Sequence, residues 1–282
     1  AQQPGGLTDR LFEENPQQSI RDRNWFKVNW NLFSLSLNYK ISSSSELNIR
    51  NFGLVASRLA LGFLGSINRT DPLAERELIS GFFKNYGNEI RFLHRYKIKK
   101  AMGVLVAGTR YYQGETKSQQ GLASDGSDAN FNYLNPSHPD NSDYLFPSKN
   151  FAAFTENIFY ITKNWSITPG IRIENIQTSS AGYYEIKNTD MAGNIIYQET
   201  VNTSSEYKRW VPLGGVGVSY KKNNAFESYA NISQNYRAIN FSDVMIVNPN
   251  SRVDPNIKDE YGYNADLGFR GRHKNIFTYD IS

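Results

Sequence analysis

The connections between the predicted strands of this chain alternate between a few polar residues and a long excursion. The short turns fall at 42–45, 96–99, 162–164, 221–224 and 271–275. The long connections between them are 57–83, 113–150, a long two-stranded hairpin with its tip at 188–193, and 237–258. In an up-and-down sheet every second connection lies on the same side, so one rim is tight and the other elaborate. Transmembrane β-barrels have this asymmetry.

The period of the strands separates an apolar face from a polar one. In 32–41 the residues Phe33, Leu35, Leu37, Tyr39 and Ile41 alternate with polar residues, and 165–176 repeats the pattern with arginine and glutamate on the polar face. A soluble sandwich and a barrel share this alternation. Strand length favours the barrel. At ~3.3 Å per residue, the predicted strands 165–187 and 194–220 would reach ~75 Å, whereas an ordinary strand of ~3–10 residues is roughly 10–33 Å long.

Composition is compatible with a barrel and not with a helical membrane protein. Charged residues make up 21% and hydrophobic residues 39%, and the longest apolar run, 101–107, is far below the ~18 residues of a spanning helix. The chain holds 18 Tyr, 17 Phe and 4 Trp. Aromatic residues flank the short turns, as in an interfacial girdle: Tyr39, Tyr96, Tyr160 with Trp165, Tyr220 with Phe226, and Phe269 with Phe277.

Charge and cysteine content exclude several classes of protein. There is no cysteine, so disulfides and thiolate metal sites are ruled out, and the net charge of +4 is scattered, which disfavours nucleic acid as a partner. The first residues show no signal peptide, and 275–282 read as the start of a further strand. We therefore expect about ten strands of a larger barrel.

Catalytic, metal and cofactor sites are not predicted. His94, His138 and His273 fall on a strand, a long loop and a short turn. The glycines of 214–217 lack the helix and lysine of a phosphate loop. The aspartates of 113–150 (Asp125, Asp128, Asp140 and Asp143) do not have the spacing of an EF-hand. The sequence thus predicts a protein that is not an enzyme.

Several segments resemble TonB-dependent outer-membrane receptors. The stretches 165–174, 228–237 and 260–270 are similar to successive barrel strands of that family, and 5–9 with 21–26 resemble its ferric-citrate branch. The resemblance implies a ~22-stranded barrel with a plugged lumen, in the outer membrane of a Gram-negative bacterium. It predicts that residues 1–282 are a partial barrel domain, with 1–23 an extracellular loop region and the plug outside this chain.

Four residues are candidates for ligand binding. Ferric chelates are commonly anionic, so arginine donors with tyrosine hydroxyls near the open rim would suit them. Arg58, Arg110, Tyr112 and Arg237 lie close to the long-loop ends of their strands. A competing interpretation is that these arginines pair across a polar lumen wall, as expected for Arg50, Glu89, Arg91, Arg172 and Glu174.

The function expected from the resemblance is TonB-dependent uptake of an iron chelate, with ferric citrate the leading ligand. Partners would be outer-membrane lipid, the chelate, and a TonB-type energising protein acting through the plug. Three alternatives stay open: a complete small barrel serving as a passive pore or surface hydrolase, an importer of oligosaccharides, and a soluble β-sandwich binding module. A closed barrel predicts pairing of the first and last strands, and a sandwich predicts apolar faces packed together.

Overall fold

The computed structural model describes residues 1–99, 101–192, 194–223, 225–240, 243, 253–254, 256–273 and 276–282, without the side chain of His273. A short helix, α1 (Asp9–Glu14), is capped by Thr8. The strands are β1 (Trp25–Lys40), β2 (Ser45–Gly62), β3 (Arg76–Ile98), β4 (Ala101–Ala123), β5 (Ser142–Tyr160), β6 (Trp165–Thr189), β7 (Ile195–Asn223), β8 (Phe226–Arg237), β9 (Glu260–His273) and β10 (Phe277–Ile281).

All ten strands belong to one antiparallel sheet, in which sequence neighbours are also neighbours in space. At one end the connections are short, at 41–44, 99–100, 161–164, 224–225 and 274–276. At the other end they are 63–75, 124–141, the tip 190–194, and 238–259, much of which lies outside the described residues. The predicted alternation is confirmed, and so is the meander of about ten strands.

Two predicted loops are shorter than expected. The strands β2 and β3 leave only 63–75, and β4 and β5 leave only 124–141. The reason is visible in the upper part of β4, where Gln113, Glu115 and Lys117 alternate with Gly114 and Thr116. Both faces are polar or small there, so the sequence shows no alternation although the backbone pairing with β3 continues without a break.

The register defines two faces, because residues paired across antiparallel strands point to the same side. We call outer the face that carries Leu37, Ile49 and Ile90, and inner the face that carries Arg50 and Glu89. The outer side chains are open, with Leu35 71% and Ile171 60% exposed, whereas on the inner face Glu89 is 7% and Ala152 0% exposed. Inner side chains therefore crowd one another, as on a concave wall.

These exposures decide between the alternatives. The apolar residues of β1 and β6 do not pack against each other, so the sandwich interpretation is wrong. In the described part of the chain β1 and β10 are the two ends of the sheet and do not pair, so the small closed barrel is wrong as well. The fold is an open piece of up-and-down barrel wall.

The apolar part of the outer face is a band of limited height. On β7 it extends from Tyr220 to Trp210, and the next outer residue, Lys208, is charged. On β6 it extends from Trp165 to Ile173. At ~3.3 Å per residue and a tilt of roughly 40°, ten residues span about 25 Å, the height of the lipid-facing band in membrane barrels.

Aromatic side chains mark both edges of this outer band. The lower edge, at the short turns, carries Tyr39, Tyr96, Trp165, Tyr220, Phe226, Phe269 and Phe277, and the upper edge carries Tyr86, Tyr111, Phe151, Trp210 and Tyr261. The predicted girdle at the turns is present, except that Tyr160 pairs with Ser166 on the inner face. The second girdle was not predicted.

Above the band the outer face is covered by protein. Leu61, Leu78 and Ala123 are almost fully buried, and Phe131 and Tyr133 from 124–141 pack on them. These positions share the face of Ile49 and Ile90, because the register from β2 to β4 is unbroken. The strand tops therefore project beyond the band, and a folded loop shields them. No helix among the described residues is long and apolar enough to cross a membrane.

A lysine at the middle of the band tests this assignment. We expect Ile171→Lys to lower the free energy of unfolding in lipid vesicles by ~2–4 kcal/mol, since a charge at the midplane of a barrel's lipid face costs that much. The matched change Thr168→Lys on the inner face of β6 should cost less than ~1 kcal/mol. Urea titration measures both, and equal losses would show that the faces are assigned wrongly.

Candidate functional site

The inner face of β2, β3 and β4 gathers three arginines around one carboxylate. Arg50 and Arg110 sit opposite Glu89 on its two neighbouring strands. Arg91 Nη2 lies 2.7 Å from Glu89 Oε1, and Arg110 Nη1 lies 4.0 Å from Oε2. Three guanidiniums against one carboxylate leave an excess of two positive charges. We call these four residues the Glu89 cluster.

An aromatic ring orients Arg110. Phe52 of β2 lies over Gly87 of β3, where any Cβ would collide with the ring. The Arg110 Cζ atom stacks 5.4 Å from the centroid of that ring. Tyr112 follows in the same row of paired residues, opposite Gly87. Gly87 thus lets the ring lie flat, and the ring holds the guanidinium between Glu89 and Tyr112.

The same arrangement recurs on β4, β5 and β6. Phe154 lies over Gly108, and Arg172 Cζ stacks 5.4 Å from its ring centroid. The Arg172 side chain donates to Glu174, which also accepts a hydrogen bond from Asn150 Nδ2 at 2.7 Å. The predicted pairing of Arg172 with Glu174 is therefore present in the structure. Here the positive charge is matched by a carboxylate.

A third copy stands on β8 and β9. Tyr229 lies against Gly268, and Arg270 Cζ is 5.5 Å from the tyrosine ring centroid. Arg270 Nη2 pairs with Glu227 Oε1 at 3.2 Å. Its charge is also matched, so among these three units only the Glu89 cluster offers excess positive charge to a ligand on the inner face.

The four predicted ligand-binding residues share the inner face but do not form one cluster. Arg110 and Tyr112 are neighbours beside Glu89. Arg58 lies eight residues along β2 from Arg50, or ~26 Å, and stacks 5.3 Å from the Phe26 ring centroid. Arg237 of β8 is occupied by two carboxylates.

Arg237 lies at the top of β8 and makes two ion pairs. Its Nη2 is 2.5 Å from Asp243 Oδ1, and its Nη1 is 2.8 Å from Glu260 Oε1. Both bonds tie the strand end to its own loop and to β9. The side chain is half exposed, yet its charge is already neutralised, which matches the competing interpretation of the sequence better than ligand binding.

Sequence reasoning missed Arg209, which is nearly buried on the inner face of β7. Its Nε lies 2.8 Å from Asp259 Oδ2 and donates to the Tyr236 hydroxyl at 2.9 Å. It also donates to the carbonyl of Ile239. These bonds anchor the described parts of 238–259 to the barrel wall. Extending the alternation of 210–220 by one residue would have placed Arg209 on the polar face.

Arginines also fix the loops at the elaborate rim. Arg23 forms a two-point pair with Asp71, at 3.0 and 2.5 Å, and donates to the carbonyls of Ala74 and Asp125. The guanidinium thereby joins the segment before β1 to 63–75 and 124–141. The bidentate bond to Arg23 holds the pKa of Asp71 below its ordinary value.

Arg76 and Arg21 complete these loop contacts. Arg76, fully buried at the start of β3, donates to the carbonyls of Ser124, Asp128 and Arg23. Arg21 donates to four carbonyls, those of Ile20, Gly65, Ser66 and Arg69. Segment 21–26, singled out by its resemblance to the ferric-citrate branch, therefore joins the loops at the elaborate rim.

No group of three or more histidines, aspartates or glutamates able to hold a metal ion occurs in the described part of the chain. His94 Nδ1 and Ser45 Oγ lie 2.9 Å apart on the lower outer face. His138 stacks on Tyr183 with centroids 4.3 Å apart, and its Nε2 is 3.3 Å from Glu185 Oε1. Side-chain atoms of His273 lie outside the described residues.

These features define the class of membrane protein to which the chain belongs. The chain is wall of a transmembrane β-barrel, with an apolar outer band, a charged inner face, tight turns at one end and folded loops at the other. The family model for the TonB dependent receptor-like β-barrel matches residues 2–282. The chain belongs to this family, whose members are outer-membrane receptors and transporters.

Solved structures share the fold. The ferric citrate transporter FecA in its unliganded form is 21% identical over 95% of this chain and 36% of its own, with a TM-score of 0.73. The siderophore receptor PiuA from Acinetobacter baumannii is 8% identical over 90% and 39%, with a TM-score of 0.63. The copper transporter OprC is 15% identical over 88% and 38%, with a TM-score of 0.60. This chain spans less than two fifths of each.

Loss of the Asp71 carboxylate should release the loops at the elaborate rim. We expect Asp71→Asn to weaken docking of 63–75 by ~1–3 kcal/mol, because Arg23 stays buried without its counter-charge. Limited proteolysis of this loop at pH 7 should then be roughly 5- to 160-fold faster. Glu14→Gln, which removes the exposed pair with Arg10, is the matched control and should change nothing.

The same carboxylate gives the loop a pH dependence of known sign. Because the pKa of Asp71 is lower in the folded protein than in the unfolded chain, its stabilisation is complete above the ordinary pKa and is lost as the pH falls through the lowered one. Pepsin cleavage below pH 4 should therefore rise steeply in the wild type and show no such step in Asp71→Asn. An identical acid profile for both proteins would contradict the assignment.

Proposed function

We propose that this chain is the barrel-wall part of a receptor that imports an iron chelate across the outer membrane of a Gram-negative bacterium, with ferric citrate as the leading ligand. The observation that carries the proposal is the Glu89 cluster, where Arg91 and Arg110 pair with one carboxylate and Arg50 lies opposite it in the register of the inner wall. An anionic chelate would be attracted by this excess charge. Family membership and the fold shared with a ferric citrate transporter support it.

Arg110 and Tyr112 are the residues we propose for direct contact. The ring of Phe52 props the Arg110 guanidinium, and its 4.0 Å distance from Glu89 leaves it the less tightly held of the two described partners of that carboxylate. A propped guanidinium loses little freedom on binding a carboxylate in two-point fashion. The Tyr112 hydroxyl adds a donor in the adjacent position. Arg58 would act higher along the entry path, and Arg237 would mainly hold its loop.

Passage of the chelate through the lumen would need parts of the receptor outside residues 1–282. We propose that a plug domain in the same receptor closes the lumen and that a TonB-type protein supplies the energy. Residues 1–23 would form part of the extracellular loops, as their contacts with 63–75 and 124–141 support. The receptor would bind the chelate and let it pass through the gated lumen, and this chain would contribute no covalent chemistry.

Uptake by the full-length receptor tests the proposal. A strain deleted for the receptor is complemented with the wild type or with Arg110→Gln. Binding of radiolabelled ferric citrate to the cells and its import are both measured. We expect uptake with the wild type, and roughly 10- to 100-fold weaker binding in the variant, since a hydrogen bond to a charged group contributes ~1.5–3 kcal/mol. Arg237→Gln is the matched control and should change binding less than ~2-fold.

The outcomes separate the ligand from the site. Uptake of another siderophore or of an oligosaccharide, with none of ferric citrate, would replace the proposed ligand. Unchanged ferric citrate binding in Arg110→Gln would move the site elsewhere on the inner face. If the deletion strain grows equally well on ferric citrate without any complementing gene, the uptake proposal fails for this ligand.

A further inference from the structure

Four lysines above the outer band lie on its outer face, where the arginine at the top of β3, Arg76, is buried beneath the loop 124–141. Lys84, Lys117, Lys149 and Lys208 all lie on the outer face of β3, β4, β5 and β7. Arg58 and Arg209, at similar heights, lie on the inner face. Guanidiniums suit fixed two-point pairs in a wall, whereas an ammonium is a compact, hydrated point charge. The outer lysines therefore face a partner different from that of the inner arginines.

The register places two of these lysines directly above the upper girdle. One outer row contains Gln113, Lys149, Gln177 and Lys208 on successive strands. The row beneath it contains Tyr111, Phe151, Asn175 and Trp210. Lys149 and Lys208 stand two strands apart, or ~10 Å. Their charges thus lie at the level where the apolar band ends, which is the level of lipid headgroups.

A cavity opens beside Lys208 where two strands separate. β7 and β8 pair only up to Gly215 and Ser233, and above that point they diverge. The resulting cavity has a volume of about 560 Å³. It is lined by Glu206, Tyr207, Lys208, Arg209, Ile239, Ile257, Lys258, Asp259 and Tyr261. It combines two ammonium groups with tyrosine rings and aliphatic side chains, at the upper edge of the band.

The charges of the cavity leave its lysines available. Asp259 is bound to the inner-face Arg209 at 2.8 Å, so it does not neutralise a lysine. Glu206 pairs with Lys208 at 2.8 Å, but both side chains are about 60% exposed, and such a pair is weak. Lys258 is exposed at the loop end. With the Arg209–Asp259 pair set aside, the described charged residues here are Lys208, Lys258 and the nearby Lys149, against the single carboxylate of Glu206.

We propose that this cavity binds the phosphorylated headgroup of an outer-leaflet lipid. The two ammonium groups of Lys208 and Lys258 would hold the phosphate, and the sugar or glycerol part would rest on Tyr261 and Ile257. Acyl chains would then run down the outer band past Trp210. The inference rests on the placement of this wall in a membrane and not on the identity of the imported chelate.

Lipid retention by the full-length receptor tests this site. The wild type, Lys208→Gln/Lys258→Gln, and the control Lys163→Gln/Lys222→Gln at the short-turn rim are exchanged into nanodiscs. Each contains neutral lipid with a trace of bisphosphorylated lipid A or of its dephosphorylated form, and bound lipid is measured by native mass spectrometry. We expect the cavity variant to hold lipid A about 25-fold more weakly, a factor of about five for each lysine at an anionic surface.

The dephosphorylated lipid should show no difference between proteins, and the control should match the wild type. Heat-modifiable migration on gels verifies that each variant is folded. Equal retention of lipid A by the cavity variant overturns the proposal. So does displacement of bound lipid A by millimolar inorganic phosphate, because a water-open phosphate site would then explain the lysines. Ferric citrate uptake is measured separately in cells that express the same variants, so a failure of the proposed imported ligand is distinguished from a failure of the lipid site.

Discussion

The backbone pairing of β1 to β7, which keeps one register from the short turns to beyond the outer band, is the constraint on which the rest of the structure depends. Because side chains alternate along every strand, a continuous register assigns each residue to one face, and a slip of one residue would exchange the faces. The outer band, both girdles and the lysines above them all follow from this assignment. So does the gathering of Arg50, Glu89 and Arg110 into one row on the inner face.

The inner wall is organised by glycine as much as by charge. Gly87, Gly108 and Gly268 each leave room for an aromatic ring, and each ring supports a guanidinium. Two of those arginines are neutralised by glutamates of their own. At Glu89 a single carboxylate serves several arginines, and this local imbalance is what makes that part of the wall suited to an anionic ligand.

Sequence alternation predicted the faces of β1 and β6 and the tight rim, because lipid on one side and polar groups on the other impose a strong period. It did not reveal how far β4 continues, since Gln113 to Gln119 have water or protein on both sides and need no apolar face. The placement of Arg110 beside Tyr112 follows from their spacing. The stacking on Phe52 and the loop contacts of Arg23 join residues that are far apart in sequence, and no local pattern encodes them.

The most direct test of this account is a depth scan along β6. Residues 1–282 contain no cysteine, so single cysteines for spin labels can be introduced at 171, 172, 173, 175 and 177. The labelling is done in the full-length receptor in lipid vesicles, after replacement of any cysteine elsewhere in it. We expect high accessibility to oxygen at 171 and 173, low accessibility to oxygen at 172, and accessibility to a water-soluble nickel chelate at 175 and 177. Oxygen accessibility at 172, or lipid exposure continuing through 177, would contradict this expectation.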